Sequence, residues 1–135
     1  MSCIDAENGQ TIWRSDRDKV RESIGISEDS EMIFARCMWD TLFAIDASRP
    51  DFQYKWKRSL DYGYDIDPSY PVEKDGTLYF STGTGIVYAI DKDTGKLKWK
   101  FKISNGLVNT VSPISKNEVI VTSADGKISY LSFSE

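Results

Sequence analysis

The chain has 135 residues, a formal charge of −4 and a pI near 4.9. That acidic balance argues against a nucleic-acid groove or a surface for anionic membranes, and no apolar run approaches the roughly 18 residues that cross a bilayer. Histidine is absent, which removes His-based triads, His acid–base chemistry and most zinc and haem sites. Two cysteines are too few for a Cys-rich zinc site. No catalytic residue and no metal ligand is assigned, and the chain is not expected to be an enzyme of the common kinds.

At 40% apolar and 13% aromatic residues the chain can fill a packed core, so order is expected throughout. Cys3 and Cys37 fall in strand-like apolar contexts and are expected to be buried free thiols rather than a disulfide. The opening Met1-Ser2-Cys3-Ile4-Asp5 has neither a basic nor an apolar leader segment, so no signal peptide is expected in this stretch.

In chain order, residues 3–15 hold a strand end, a turn at Glu7-Asn8-Gly9 and a strand from Gln10 to Arg14. A charged loop follows over residues 15–19. Residues 22–27 alternate weakly around Gly25, which suits a crowded inner strand where backbones approach closely. After a turn at Glu28-Asp29-Ser30, strands are expected over residues 32–37 and 41–45, separated by a bend at Met38-Trp39-Asp40. An insertion at Ser48-Arg49-Pro50-Asp51 leads to a strand over 54–57. Residues 61–67 read as a polar, tyrosine-rich loop. Strands are then expected over 69–72, 78–81, 86–90 and 97–103, with turns at Lys74-Asp75-Gly76 and Thr82–Gly85. The last three are expected over 111–114, 118–122 and 127–133. No stretch keeps a 3.6-residue apolar period, so almost no helix is expected.

The strongest local signal is Ala89-Ile90-Asp91-Lys92-Asp93-Thr94-Gly95-Lys96-Leu97-Lys98-Trp99, a strand end, a tight turn and a new strand. It recurs. Cys3-Ile4-Asp5 with Asn8-Gly9 and Trp13 keeps the same eight-residue spacing from Asp to Trp, and Ala44-Ile45-Asp46 reaches Trp56 through a turn two residues longer. Gly126–Leu131 is a fading fourth copy of Gly85–Ala89. A period of roughly forty residues with four short strands per unit points to propeller blades. The expected fold is therefore all-β, with blades of four antiparallel strands, A to D. The divisions are 3–15 (the end of one blade), 20–58 and 66–103 (blades) and 109–133 (a partial blade). The orphan strands at the two ends raise the total to about three blades' worth, an incomplete ring or one completed by oligomerisation.

The pattern Ala89, Asp91, Thr94, Gly95, Lys96, Trp99 resembles the tryptophan-docking repeat of PQQ-like, BamB-like β-propellers, over nearly the whole chain. The resemblance implies that Trp13, Trp56 and Trp99 pack between neighbouring blades, while Asp5, Asp46, Asp91 and Gly95 shape the C–D turns. Members of this superfamily include quinoprotein dehydrogenases, which would bring PQQ and calcium. The adjacent-cysteine disulfide of those enzymes is absent, and this length of ring would not enclose the cofactor. Similar repeats also follow calcineurin-like phosphoesterase domains in bacteria, on the runs Asn109-Thr110-Val111-Ser112-Pro113 and Asp125-Gly126-Lys127-Ile128. The metal-binding motifs of a phosphoesterase are not in this chain.

The candidate contacts lie at the channel mouth and in the D–A and B–C loops. Glu22, Asp67 and Asn109 share one register, each where an innermost strand begins, and are expected to face the mouth. Their converging oxygens would suit a cation or polar ligand; local hydrogen bonding at strand entries is the ordinary alternative. Trp39 stands outside the repeat frame at a B–C turn, as a contact residue or a cap on its blade. Tyr62, Tyr64, Asp61 and Asp65 make the most contact-like D–A loop, since tyrosine offers area at small entropic cost; a solvated loop is the alternative. The expected role is a non-catalytic scaffold for protein or ligand contact. The other two readings are a fragment of a quinoprotein dehydrogenase and an accessory propeller of a phosphoesterase. No cofactor is expected under the first. The expected partners are another protein or the remainder of its own propeller, with a homodimer among the assemblies. The resemblance implies a periplasmic or extracellular address.

Overall fold

The structure, a computed structural model, describes residues 1–65 and 69–134, without the side chains of 21–23. Among the described residues every element is a strand. β1 (Ser2–Ile4) pairs with β2 (Thr11–Arg14), and β3 (Val20–Ile26), β4 (Met32–Cys37), β5 (Trp39–Asp46) and β6 (Tyr54–Tyr64) follow as one antiparallel meander. A second meander holds β7 (Val72–Lys74), β8 (Thr77–Ser81), β9 (Ile86–Asp91) and β10 (Leu97–Lys102). The last sheet has β11 (Val108–Ser115), β12 (Glu118–Ser123) and β13 (Ile128–Ser132). Among the described residues the four sheets do not close into a ring.

The C–D turns form because an aspartate at the end of each C strand caps the chain that follows. Asp91 accepts hydrogen bonds from the Thr94 amide (2.9 Å) and hydroxyl (2.7 Å), and its own backbone closes onto Gly95 and Lys96. Asp5 receives the Glu7 amide and the Asn8 side chain, and Asp46 receives the amide and hydroxyl of Ser48. One geometry therefore survives three different turn sequences, because any short polar group two or three residues on satisfies the carboxylate.

Apolar faces stack sheet against sheet. Met32, Phe34, Leu42, Ala44 and Trp56 of the second sheet meet Leu78, Phe80, Tyr88 and Ile90 of the third. Tyr79, Val87 and Ala89 meet Val108, Val119 and Val121 of the fourth. Trp13 packs with Ala35, Phe43 and Ile45. Each repeat tryptophan sits opposite a small residue of its own C strand: Cys3, Ala44 or Ala89. That leaves room for the indole to reach the next sheet. Trp56 donates from Nε1 to the Lys92 carbonyl (2.7 Å) and covers Gly95, where a Cβ would lie 2.5 Å from the indole. Trp13 meets Phe52 edge-on at 5.1 Å, and Trp99 stacks on Phe133 at 5.2 Å. The indoles thus join successive sheets, as the repeat implied.

Gly25 behaves as expected of a crowded inner strand, since a Cβ there would stand 2.0 Å from the Pro71 carbonyl oxygen. Both thiols are free, and both are half-buried rather than fully buried; desolvation pushes the Cys37 thiol up to about 11.

Several boundaries differ from the sequence reading, and two of them bear on the site. β6 runs on to Tyr64, so the tyrosine-rich stretch expected as a loop over residues 61–67 is strand through its first four residues. Trp39 begins β5 instead of lying in a bend. The expected strand at 69–72 also shifts forward, to β7.

A candidate protein-contact site

β5 and β6 depart from regular pairing where the candidate residues lie. Thr41 faces Ser59 and Trp39 faces Tyr64, so Asp40 alone opposes Leu60, Asp61, Tyr62 and Gly63. Bulges of this kind re-aim side chains. The backbone is left-handed at Asp40 (φ 45°), Asp61 (φ 54°) and Gly63 (φ 75°). For the two aspartates that conformation costs free energy and persists only when surrounding contacts enforce it. Here the Asp40 carboxylate accepts a hydrogen bond from the Gly63 amide, tying the two sides of the bulge together.

The bulge sends Tyr62 inward. Its hydroxyl lies 2.8 Å from the carbonyls of Cys37 and Thr41, able to donate to either. Its ring packs edge-on to Phe80 and Tyr88 of the next sheet, at 6.0 and 6.5 Å. Burial pushes the phenol up to about 12, with the nearby Arg36 charge opposing the rise. Tyr62 therefore packs against the core from within β6 instead of lying in a loop.

Asp65 is also structural. It is 7% exposed and forms an ion pair of 2.9 Å with Arg36, which is fully buried. Arg36 further donates to the Ser81 carbonyl at 2.7 Å, and its guanidinium lies 4.6 Å from the Phe80 ring and 4.9 Å from that of Tyr62. The Gly83 amide donates to the Asp65 carboxylate as well. Arg36 and Asp65 thus bolt the second sheet to the third beneath the bulge. Sequence reading passed over Arg36, although a signal was present: the alternation of Met32–Cys37 puts this one cation on the same face as Met32 and Phe34.

What remains exposed is a pair of rings. Trp39 and Tyr64 are 64% and 49% exposed, with centroids 5.0 Å apart and planes inclined at 50°. Asp61 is exposed in the bulge and lines a cleft with Arg58, Lys96 and Lys100. Two of the predicted contact residues are therefore brought together on hydrogen-bonded strands. Asn109 is exposed near the start of β11; Asp67 and the side chain of Glu22 lie outside the described residues. Among the described residues no three acidic or thiol side chains converge as ligands for a metal ion.

Side-by-side four-stranded sheets, each docking a D-strand indole on the next sheet, define a segment of a β-propeller. The family described as outer membrane protein assembly factor BamB matches the sequence over residues 1–135, and the chain belongs to that family. No curated protein matches the sequence. Among solved structures, BamB from Moraxella catarrhalis is similar with a TM-score of 0.74 and 18% identity, over 92% of this chain and 37% of that one. Sqt1 from Saccharomyces cerevisiae gives 0.75 and 17%, over 99% and 38%. A chain of a mitotic checkpoint complex gives 0.74 and 10%, over 98% and 42%. At such identities the likeness concerns the fold alone. The chain spans well under half the length of these solved chains.

Proposed function

We propose that this chain is a non-catalytic segment of a BamB-like propeller and serves as a scaffold for protein contact, with Trp39 and Tyr64 at the contact. The observation that carries the reading is the exposed aromatic pair on a bulge whose backbone is fixed by the Asp40–Gly63 hydrogen bond and, beneath it, by Arg36–Asp65. Tryptophan and tyrosine dominate the energetics of protein contacts when held rigidly. Membership of a family named for an assembly factor supports it, as does likeness to a chain of a checkpoint complex. The reading calls for no PQQ, no calcium and an address outside the cytoplasm.

The outer faces of the two end sheets carry exposed apolar residues, Ile4 and Ile12 on one and Ile114, Ile120, Ile128 and Tyr130 on the other. In this reading further blades of the same propeller cover them, and in the isolated chain a second copy takes that place, giving a homodimer.

A photo-crosslinking residue at position 39 tests the contact. The expected result is an adduct with a defined protein in cells, reconstituted from purified components, with affinity at least about tenfold weaker for Trp39→Ala. Adducts absent at position 39 but present on other faces would overturn the reading.

A further inference from the structure

We infer that the cleft between β6 and β10 receives an extended acidic segment, rich in aspartate or glutamate, from a protein partner. This is a surface separate from the Trp39–Tyr64 pair. It is carried by cations that the chain itself leaves unmatched.

β6 and β10 are edge strands of the second and third sheets. Arg58, Leu60 and Asp61 from the first, with Lys96, Leu97 and Lys100 from the second and the turn before it, line a cleft of about 400 Å³. In a chain of net charge −4, three cations here meet one carboxylate. That carboxylate does not neutralise them: among the described residues neither Asp61 nor Arg58, Lys96 or Lys100 forms an ion pair. Elsewhere cations are matched. Lys57 meets Asp18 at 2.6 Å, Lys74 meets Glu28 at 2.7 Å, Lys92 meets Asp29 at 2.8 Å and Lys127 meets Asp125 at 3.2 Å.

The cations of the cleft are also placed. Arg58 donates from Nε to the Thr94 carbonyl at 3.1 Å, and its stem lies against Gly95, where a Cβ would stand 2.8 Å from Arg58 Cγ. That fixes the plane of the guanidinium fork. Lys100 stands over the Tyr88 ring at 5.9 Å. Lys102 follows on the same face of β10, opposite Ile86 as Lys100 is opposite Tyr88. Lysine on an edge strand commonly guards against unwanted pairing, but a guard needs no second cation across from it. Here Arg58 comes from a different sheet, and like charges gathered across two sheets repel until something negative lies between them.

The spacing fits an extended chain. Lys100 and Lys102 are two residues apart on a strand, a separation of roughly 6–7 Å, and alternate side chains of an extended segment repeat at the same interval. Carboxylates at every second position therefore match them, while the aliphatic parts of those side chains meet Leu60 and Leu97. A single small anion would reach only part of a set of cations spread over two strands.

A fluorescein-labelled octapeptide of alternating glutamate and serine tests this on the full chain, with a glutamine–serine counterpart and anisotropy as the readout. The glutamate peptide is expected to bind, less tightly as salt rises, and the glutamine peptide to stay free. Lys96→Gln and Lys100→Gln each weaken binding about threefold or more, and together about tenfold. Lys127→Gln, the same loss of charge in the last sheet, leaves it as it was. Asp61→Asn has the opposite sign. Asparagine tolerates the left-handed backbone at that position, and with the one anion of the cleft gone the glutamate peptide binds about twofold tighter or more. No binding of the glutamate peptide, equal binding of the glutamine peptide, an equal loss in Lys127→Gln, or no gain in Asp61→Asn would each overturn the proposal. So would easier displacement by tripolyphosphate or by an oligothymidylate than by unlabelled glutamate peptide. None of these outcomes touches a partner crosslinked at position 39, so the scaffold reading stands or falls by its own test.

Discussion

Arg36 and Asp65 face each other where water hardly reaches, each 7% exposed or less. Removing one partner strands the other, and a stranded buried charge costs about 3–5 kcal/mol, whereas replacing both by apolar residues is often neutral. Asp65→Ala is therefore expected to lower stability by about that amount in urea melts, and Arg36→Met with Asp65→Ala to recover much of it. If the double variant were as unstable as the single one, the pair would be holding the fold through geometry rather than charge balance. Tyr62 makes a second prediction, through pH. Its phenol is raised by burial to about 12 from an ordinary value of about 10. Its contribution to stability is thus complete below pH about 10 and is lost as pH rises through about 12. Thermal melts across that window should fall less steeply for Tyr62→Phe than for the unchanged chain, although Phe gives up about 1 kcal/mol of hydrogen bonding at neutral pH. Tyr54, also raised to about 12, supplies a residual slope in both.

Between elements, the indole of each D strand and the C–D turn of the next sheet form one joint. Trp56 fills it with area, an Nε1 hydrogen bond to the Lys92 carbonyl, and a close fit over Gly95. Trp56→Ala is expected to cost about 3–5 kcal/mol, and Gly95→Ala to destabilise through both the clash and the left-handed backbone (φ 69°) it must keep. Combining the two should cost less than the sum, because the cavity left by one relieves the crowding of the other. Full additivity in a denaturation cycle would mean that the two do not share a joint. A set of ion pairs and hydrogen bonds joins the same two sheets beside it. Lys74 meets Glu28 at 2.7 Å, Lys92 meets Asp29 at 2.8 Å, and the Glu28 amide donates to Glu73. The hydrogen bonds from Lys74 and Lys92 hold the Glu28 and Asp29 carboxyls below the usual range. These carboxylates are exposed, so the set aligns the sheets more than it stabilises them.

For the molecule as a whole, the unfilled requirement is at its ends. Inner sheets bury both faces, but Ile128 is 79% exposed and Tyr130 57% on the outer face of the last sheet. Exposed sheet faces and open strand edges drive association. Sedimentation velocity of the isolated chain at micromolar concentration is expected to show dimers, and Ile128→Lys with Tyr130→Lys to shift them to monomers. A monomer in the unchanged chain would contradict the homodimer reading while leaving the Trp39–Tyr64 contact untouched.

What the amino-acid order decided by itself is the strand-and-turn rhythm and the joints it repeats. Asp5, Asp46 and Asp91 cap turns made from residues two or three positions away, and Trp13, Trp56 and Trp99 recur at matching places. These are short-range relations, so they survive in a linear reading. Tyr62, Tyr64 and Asp65 look alike in such a reading: polar or aromatic residues after a strand, all equally suited to a loop. Only the fold separates them, because a bulge opposite Asp40 sets which way each one turns. Arg36, which makes Asp65 a buried partner, comes from a different strand, and the carbonyl that completes its coordination belongs to Ser81 in the next sheet. A side chain's direction in a sheet follows from register, and register is settled across strands, not along one.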